Sequence, residues 1–273
     1  MFSNEKFEIS GVNELPIIGD ITFCDRYPEY VVIFAHGFRG FKDWGTHHLV
    51  ATYFADKAIN FIKFNFSHSG VNPKDLSDIT DLTVFSNNTP SKELSDLNQV
   101  IGFAKNKFPF LKIALIGHSH GGGISILQAA TDLRIDKLIT WAAIGAFRDL
   151  WKREEEIEWR KTGTLYTLNA RTKQQMPLNI SLLDDVITHE KEFDLKAAAK
   201  NISTPWLIIH GDNDPAVNVE VAKEFHTIQP QKSELLIIEG ADHVFGASHP
   251  YTNETLPKDL EQVCKACADF ILD

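Results

Sequence analysis

Sulfur is scarce in this chain: there are three cysteines and two methionines among 273 residues. The cysteines are Cys24, Cys264 and Cys267. An odd, low count argues against a disulfide framework and for free thiols, which makes a reducing cytoplasm the expected location. Cys264 and Cys267 form a C-x-x-C, but zinc needs about four ligands and no second pair exists. Inside "LEQVCKACADFIL" the pair reads as one face of a terminal helix. Long apolar runs are also missing, so no segment is expected to span a bilayer. The opening "MFSNEKFEISGV" lacks the basic stretch and apolar core of a secretory signal. Positive charge is in deficit, with 27 Lys and Arg against 37 Asp and Glu and a net charge of −10. That balance disfavours nucleic acid and anionic membrane as partners. The most basic segment, "WKREEEIEWRK", carries as many glutamates as cations and reads as a solvated helix face.

What the chain does have is a 43% hydrophobic composition, enough for one large α/β domain or two small ones. Short apolar runs recur: "KFEISG", "IGDITF", "YVVIFAHG", "NFIKFNF", "KIALIGH", "KLITWAAI", "WLIIHG" and "ELLIIEG". Several are continuous and β-branched, as in strands covered on both faces. Helical patterns lie between them at 45–58, 91–107, 119–132, 217–229 and 256–272. Alternation of this kind predicts a mainly parallel sheet between helices, with an antiparallel start where the first two strands follow each other directly. Residues 146–204 break the rhythm. They contain no convincing strand, read as two or three helices, and separate the sixth and seventh strands. A connection that long suggests a functional insertion, a helical lid over the strand ends. The expected division is a core of 1–145 and 205–273 with a lid of 146–204. Neither repeats nor low-complexity tracts occur.

The chemistry concentrates in "IALIGHSHGGG". Gly117-His118-Ser119-His120-Gly121 fits G-x-S-x-G between a strand and a helix, the context of a nucleophile elbow. So sharp a turn brings the residues two before and two after the serine together, where only glycine fits. It also strains the serine backbone. A serine hydroxyl needs a base, and the base needs an orienting carboxylate. "WLIIHGDNDPAV" offers Asp212 and Asp214 past one strand, and "LLIIEGADHVF" offers Asp242 and His243 past another. Serine, acid, histidine is the order of the α/β-hydrolases, and each group falls at a strand's C-terminal end, where ligands collect. His47 and His48 have no spaced partner for a metal site.

With these pieces in hand, the chain resembles the α/β-hydrolase superfamily from about residue 8 onward. Within it, the chain is most similar to intracellular cinnamoyl or feruloyl esterases and serine-aminopeptidase-like hydrolases. The resemblance rests on "FAHGFRGFKDWG", "FIKFNFSHSG", "IGHSHGG", "IHGDNDPAV" and "IEGADHVF". It implies an eight-stranded, mostly parallel sheet with a helical lid, and Ser119 and His243 as nucleophile and base. By the same resemblance Asp214, three residues after Gly211, is the triad acid, while Asp212 and Asp242 stabilise their loops and His36 and His210 are structural. The backbone N–H groups of Phe38 and His120 then form the oxyanion hole. Ser67-His68-Ser69-Gly70 departs from the G-H-G-x-S often found after the fourth strand, which bears on pocket shape.

The function expected is hydrolysis of a small or aromatic carboxylic ester through an acyl-enzyme, with neither metal nor cofactor. Trp151, Trp159 and Tyr166 of the lid are candidate substrate contacts. A peptidase or amidase, anchored by Glu154, Glu155 or Glu156, is the alternative, followed by a thioesterase or lactonase. A non-catalytic binding protein would more typically have a broken triad. The partner expected is a small-molecule ester. The oligomeric state is not readable, a homodimer being one option.

Overall fold

Val31, Ile33 and Ala35 point to one side of a strand and Val32 and Phe34 to the other, and all five are buried. A strand apolar on both faces must sit inside a sheet covered on both sides. The computed structural model, which describes residues 2–273, shows that sheet. Its strands are β1 (Asn4–Ser10), β2 (Pro16–Thr22), β3 (Tyr30–Ala35), β4 (Asn60–Asn65), β5 (Lys112–His118), β6 (Lys137–Trp141), β7 (Trp206–Gly211) and β8 (Ser233–Ile238). Their order is β1-β2-β4-β3-β5-β6-β7-β8. β1 pairs antiparallel with β2 and β2 antiparallel with β4, and the remaining pairs are parallel. The eight-stranded, mostly parallel sheet with its antiparallel start is the architecture expected.

Five long helices cover it: α1 (His47–Asp56), α2 (Pro90–Lys107), α3 (His120–Ala129), α4 (Glu220–Ile228) and α5 (Lys258–Leu272). Val50, Phe54, Leu260 and Val263 of α1 and α5 pack with Val32 and Phe34 on one face. Leu97, Val100, Ile124 and Phe225 of α2, α3 and α4 pack with Val31 and Ile33 on the other. α2 illustrates why these stretches are helical: the Thr89 side chain accepts the Lys92 amide, Pro90 opens the first turn, and Lys105 and Lys107 sit in the last. Cys264 and Cys267 are buried on one face of α5. Burial pushes the Cys267 thiol up to about 12, even though the Trp141 indole N–H reaches its sulfur at 3.2 Å.

The interval 146–204 differs from the expectation of helices alone. It contains helices Glu156–Thr162, Ile180–Thr188 and Leu195–Asn201, and also an antiparallel hairpin of Thr164–Leu168 with Gln175–Asn179. Met176 and Leu178 of the hairpin point inward while its other side is wet, so the strands alternate rather than run continuously apolar. Pro177, paired with Tyr166, disguised the second strand, since proline sits only at sheet edges. The last helix, Leu195–Asn201, packs on α3. A parallel β6–β7 pair needs a crossover back to the end of the sheet where the strands begin, and this helix supplies it. A second small hairpin, Val71–Asn72 with Asp75–Ile79, follows β4.

Candidate active site

The elbow begins with the apolar run of β5, which ends at His118 and leaves Ser119 at φ 54°, ψ −118°, ahead of α3. That positive φ is strained for a residue with a Cβ. The turn is tight enough that a Cβ on Gly117 would lie 2.4 Å from the Gly121 carbonyl oxygen. A Cβ on Gly121 would lie 2.4 Å from the carbonyl oxygens of both Ala35 and His36. Glycine at these two positions lets α3 dock against the end of β3. The Ser119 amide donates to the Trp141 carbonyl at 2.8 Å, tying the elbow to β6.

The structure brings Ser119, His243 and Asp214 into one hydrogen-bonded line. The Ser119 hydroxyl lies 2.9 Å from His243 Nε2, and His243 Nδ1 lies 2.7 Å from Asp214 Oδ2. A ring nitrogen beside a carboxylate carries the proton, so Nε2 is left as the acceptor facing the serine. The loop after β7 holds Asp214 through its own amides: Oδ1 accepts from Ala216 at 2.7 Å and Val217 at 3.0 Å. The Asp214 side chain is fully buried. Burial favours its neutral form, but the hydrogen bonds from His210 and His243 prevail and hold the carboxyl well below the usual range.

The other carboxylates on this rim are tied into loops. Asp212 Oδ1 accepts the Gly240 amide at 2.6 Å, joining the ends of β7 and β8. Asp242 Oδ1 accepts the amides of Val244 at 3.1 Å and Gly246 at 2.9 Å. Two histidines support the line. His210 Nε2 donates to the Val217 carbonyl at 2.9 Å and lies 3.2 Å from Asp214 Oδ2, a second imidazole on the same oxygen. The H-G pair marked His210 only as a strand end. His118 Nε2 donates to the His243 carbonyl at 2.9 Å, so the residue before the serine fixes the loop bearing the histidine. Burial lowers the His118 pKa to about 3, which keeps it neutral.

Phe38 and Gly37 follow β3. A Cβ on Gly37 would stand 3.1 Å from the Ser119 Cβ, so this loop lies directly against Ser119. Neither the Phe38 nor the His120 amide donates to a backbone or side-chain acceptor among the described residues. The His120 ring turns away from the serine and donates from Nε2 to buried Glu93 at 2.7 Å. Under the same loop, buried Lys42 bridges Asp20 at 2.6 Å and Asp43 at 2.5 Å, and Lys63 bonds the same two carboxylates. This four-charge knot anchors residues 41–44 to β2 and β4.

A cavity of about 430 Å³ opens over Ser119 and His243, within the range of small-molecule sites. The loop 37–40 and Trp44 wall one side, and the hairpin tip Asn169, Ala170 and Arg171 closes the other. The three aromatics expected to touch substrate are elsewhere. Trp151 and Trp159 are buried against each other, edge to face at 5.2 Å, and form the insertion's own core. Tyr166 is 62% exposed on the hairpin's outer side. None of the three lines the cavity. The insertion needed its largest apolar surfaces to hold itself onto the body, which left a polar turn to face the site.

No family model matches the chain. It is 26% identical over 191 residues to a monoglyceride lipase homolog of Monkeypox virus, covering 62% of this chain and 69% of that protein. It is 28% identical over 136 residues to a monoacylglycerol lipase of Mycolicibacterium smegmatis, covering 47% of this chain and 42% of that one. Its backbone superposes on Est1E of Butyrivibrio proteoclasticus, solved with ferulic acid bound, with a TM-score of 0.69 at 21% identity over 100% of this chain and 98% of that one. Given the strand order, the strained serine at the turn after β5 and these likenesses, the chain has the α/β-hydrolase fold.

Proposed function

We propose that the protein is a serine esterase that cleaves a small or aromatic carboxylic ester through an acyl-enzyme. The observation that carries this reading is the continuous line from the Ser119 hydroxyl through His243 to buried Asp214, with Ser119 and His243 lining the cavity. Ser119 attacks the ester carbonyl while His243 Nε2 takes its proton. Asp214, held ionised, stabilises the imidazolium that forms. The free amides of Phe38 and His120 receive the oxyanion, and the positive end of α3 adds to their effect. The imidazolium protonates the departing alkoxide. Water, deprotonated by the same histidine, then releases the acid.

Support for an ester substrate comes from the two lipase relatives and from the ferulic acid held by Est1E. A cavity of about 430 Å³ suits an aromatic or short acyl group. The peptidase alternative loses its anchor: Glu154, Glu155 and Glu156 do not line the cavity, and Glu156 is engaged by Arg148 at 2.6 Å and by the Trp151 indole at 2.9 Å. In this reading the hairpin tip of the insertion is the lid.

The test is covalent labelling. A fluorophosphonate probe is expected to mark the wild type at Ser119 and to leave a folded Ser119→Ala variant unmarked, with hydrolysis of 4-nitrophenyl esters reduced on the order of 10⁴-fold or more. Labelling at another residue would remove Ser119 from the mechanism.

A further inference from the structure

The loop that carries the Phe38 amide also brings a cation into the cavity. Arg39 sits at φ +60° with its guanidinium carbon 5.0 Å from the centre of the Phe38 ring. It lines the same cavity as Ser119 and His243. Its Nη1 donates to the Leu168 carbonyl at 3.2 Å, at the base of the hairpin tip. Its Nε is buried and has no hydrogen-bond partner among the described residues. No carboxylate is paired with this guanidinium among the described residues, in a chain whose net charge is −10.

The neighbours do not supply the missing charge. Arg171 also lines the cavity, but Asp78 grips it from both oxygens at 2.7 and 2.8 Å. Burial lowers the pKa of His47 and of His118 to about 3, so both are neutral. The residues lining the cavity include neither aspartate nor glutamate. A half-buried guanidinium in the wall of a cavity, bonded only to one carbonyl and to no carboxylate, has donors left for a carboxylate, and such charge-assisted pairs are the strong hydrogen bonds of recognition.

We propose that Arg39 binds a carboxylate carried by the ester substrate, so that the enzyme selects acidic esters over neutral ones of the same shape. This rests on the serine-esterase reading and narrows it: the natural substrate holds a second, ionised acid group besides the ester that is cut. The group sits on the acyl side, as in a dicarboxylic acid monoester, or on the alcohol side, as in an ester of a hydroxy acid.

Two substrate pairs separate these arrangements. Mono-4-nitrophenyl adipate against 4-nitrophenyl hexanoate tests the acyl side, and 3-(butanoyloxy)benzoate against phenyl butanoate tests the alcohol side. The quantity read is the ratio of kcat/KM for the anionic over the neutral ester within each variant. The wild type is expected to favour the anionic member of one pair about tenfold or more. In Arg39→Gln the ratio falls toward one, mainly through KM, and Arg39→Lys retains part of it. Added salt lowers the ratio in the wild type and leaves it unmoved in Arg39→Gln. An arginine that only props up the loop would slow both members equally, and an unchanged ratio in Arg39→Gln overturns the proposal. So does a wild type that treats both pairs alike. If melting shows Arg39→Gln to be unfolded, Arg39→Lys and the salt dependence of the wild type decide. Labelling of Ser119 without any anionic preference defeats the Arg39 assignment alone. Absence of both labelling and hydrolysis defeats the esterase reading beneath it.

Discussion

The strand ends and the insertion solve different problems. Around Ser119 nearly every polar atom is committed: the serine amide to Trp141, Asp214 to two amides and two imidazoles, His118 to the histidine loop. Residues 146–194 commit their buried aromatics to each other and meet the site through one polar hairpin tip. Geometry needed to a fraction of an ångström is built on strands, where neighbouring elements fix each dihedral. The side of the cavity formed by the insertion is a turn, which can change without disturbing the sheet.

The sharpest way to break the rim is at Asp214, the proposed acid. Asp214→Asn is expected to lower turnover on the order of 10⁴-fold, because an amide cannot hold the histidine in the required tautomer. Asp212→Asn, which disturbs only the tie to Gly240, is expected to cost less than about tenfold. Initial rates on one 4-nitrophenyl ester rank the two, and the reverse order would reassign the acid.

The insertion breaks differently, in stability rather than chemistry. Trp159 is 1% exposed and packs on Trp151. Trp159→Ala is expected to destabilise the protein by about 3–5 kcal/mol in a denaturant titration, while Ser119 in the remaining folded protein still takes the fluorophosphonate. A loss of labelling in folded protein would show that the insertion shapes the nucleophile.

Acid separates the regions again. His47 and His118 have folded pKa values of about 3 against an ordinary value of 6.5, because burial penalises their charge. The unfolded chain therefore binds more protons than the folded one between those values. Stability is full above pH 6.5 and falls as pH drops toward 3. His47→Gln is expected to flatten that fall between pH 6.5 and 4, read as melting temperature against pH. An equally steep fall would place the acid sensitivity elsewhere.

The smallest effect belongs to Tyr166. It is 62% exposed and absent from the cavity lining, so Tyr166→Ala is expected to shift stability by no more than about 0.5 kcal/mol and to leave the ranking of ester substrates unchanged. A changed ranking would extend the site along the hairpin.

The sheet was legible because most of its parallel strands write themselves as continuous apolar runs, while antiparallel β1 and β2 alternate and were marked by the short turn between them. The strand-end placing of Ser119, Asp214 and His243 was legible for a related reason: G-x-S-x-G and the H-G and E-G pairs each punctuate the end of such a run. The hairpin was not, since two five-residue strands with one wet face and a proline carry little signal. The contacts of Asn169–Arg171 were hidden because a polar turn looks the same whether it faces solvent or a cavity. That Trp151 and Trp159 pack on each other and do not line the cavity was hidden for the opposite reason. Large aromatics suit a binding site and a small core equally, and only packing tells them apart. His210 showed its strand-end position but not the oxygen its ring would reach.

The point of departure of the insertion has a consequence for how such a protein changes over generations. The chain leaves the body just after Ile144 and rejoins it at Leu195. A Cβ placed on Gly123 would touch both, at 3.0 and 3.2 Å. Near the same junction the rings of Phe147 and Phe193 stand 5.5 Å apart. Everything between leaves and returns through one doorway beside α3. A segment with its two ends side by side is an interchangeable module: it can lengthen, shrink or be replaced while the strands, the elbow and the acid loop keep their places. Inheritance can hold the reaction constant and let selection trade one cover for another.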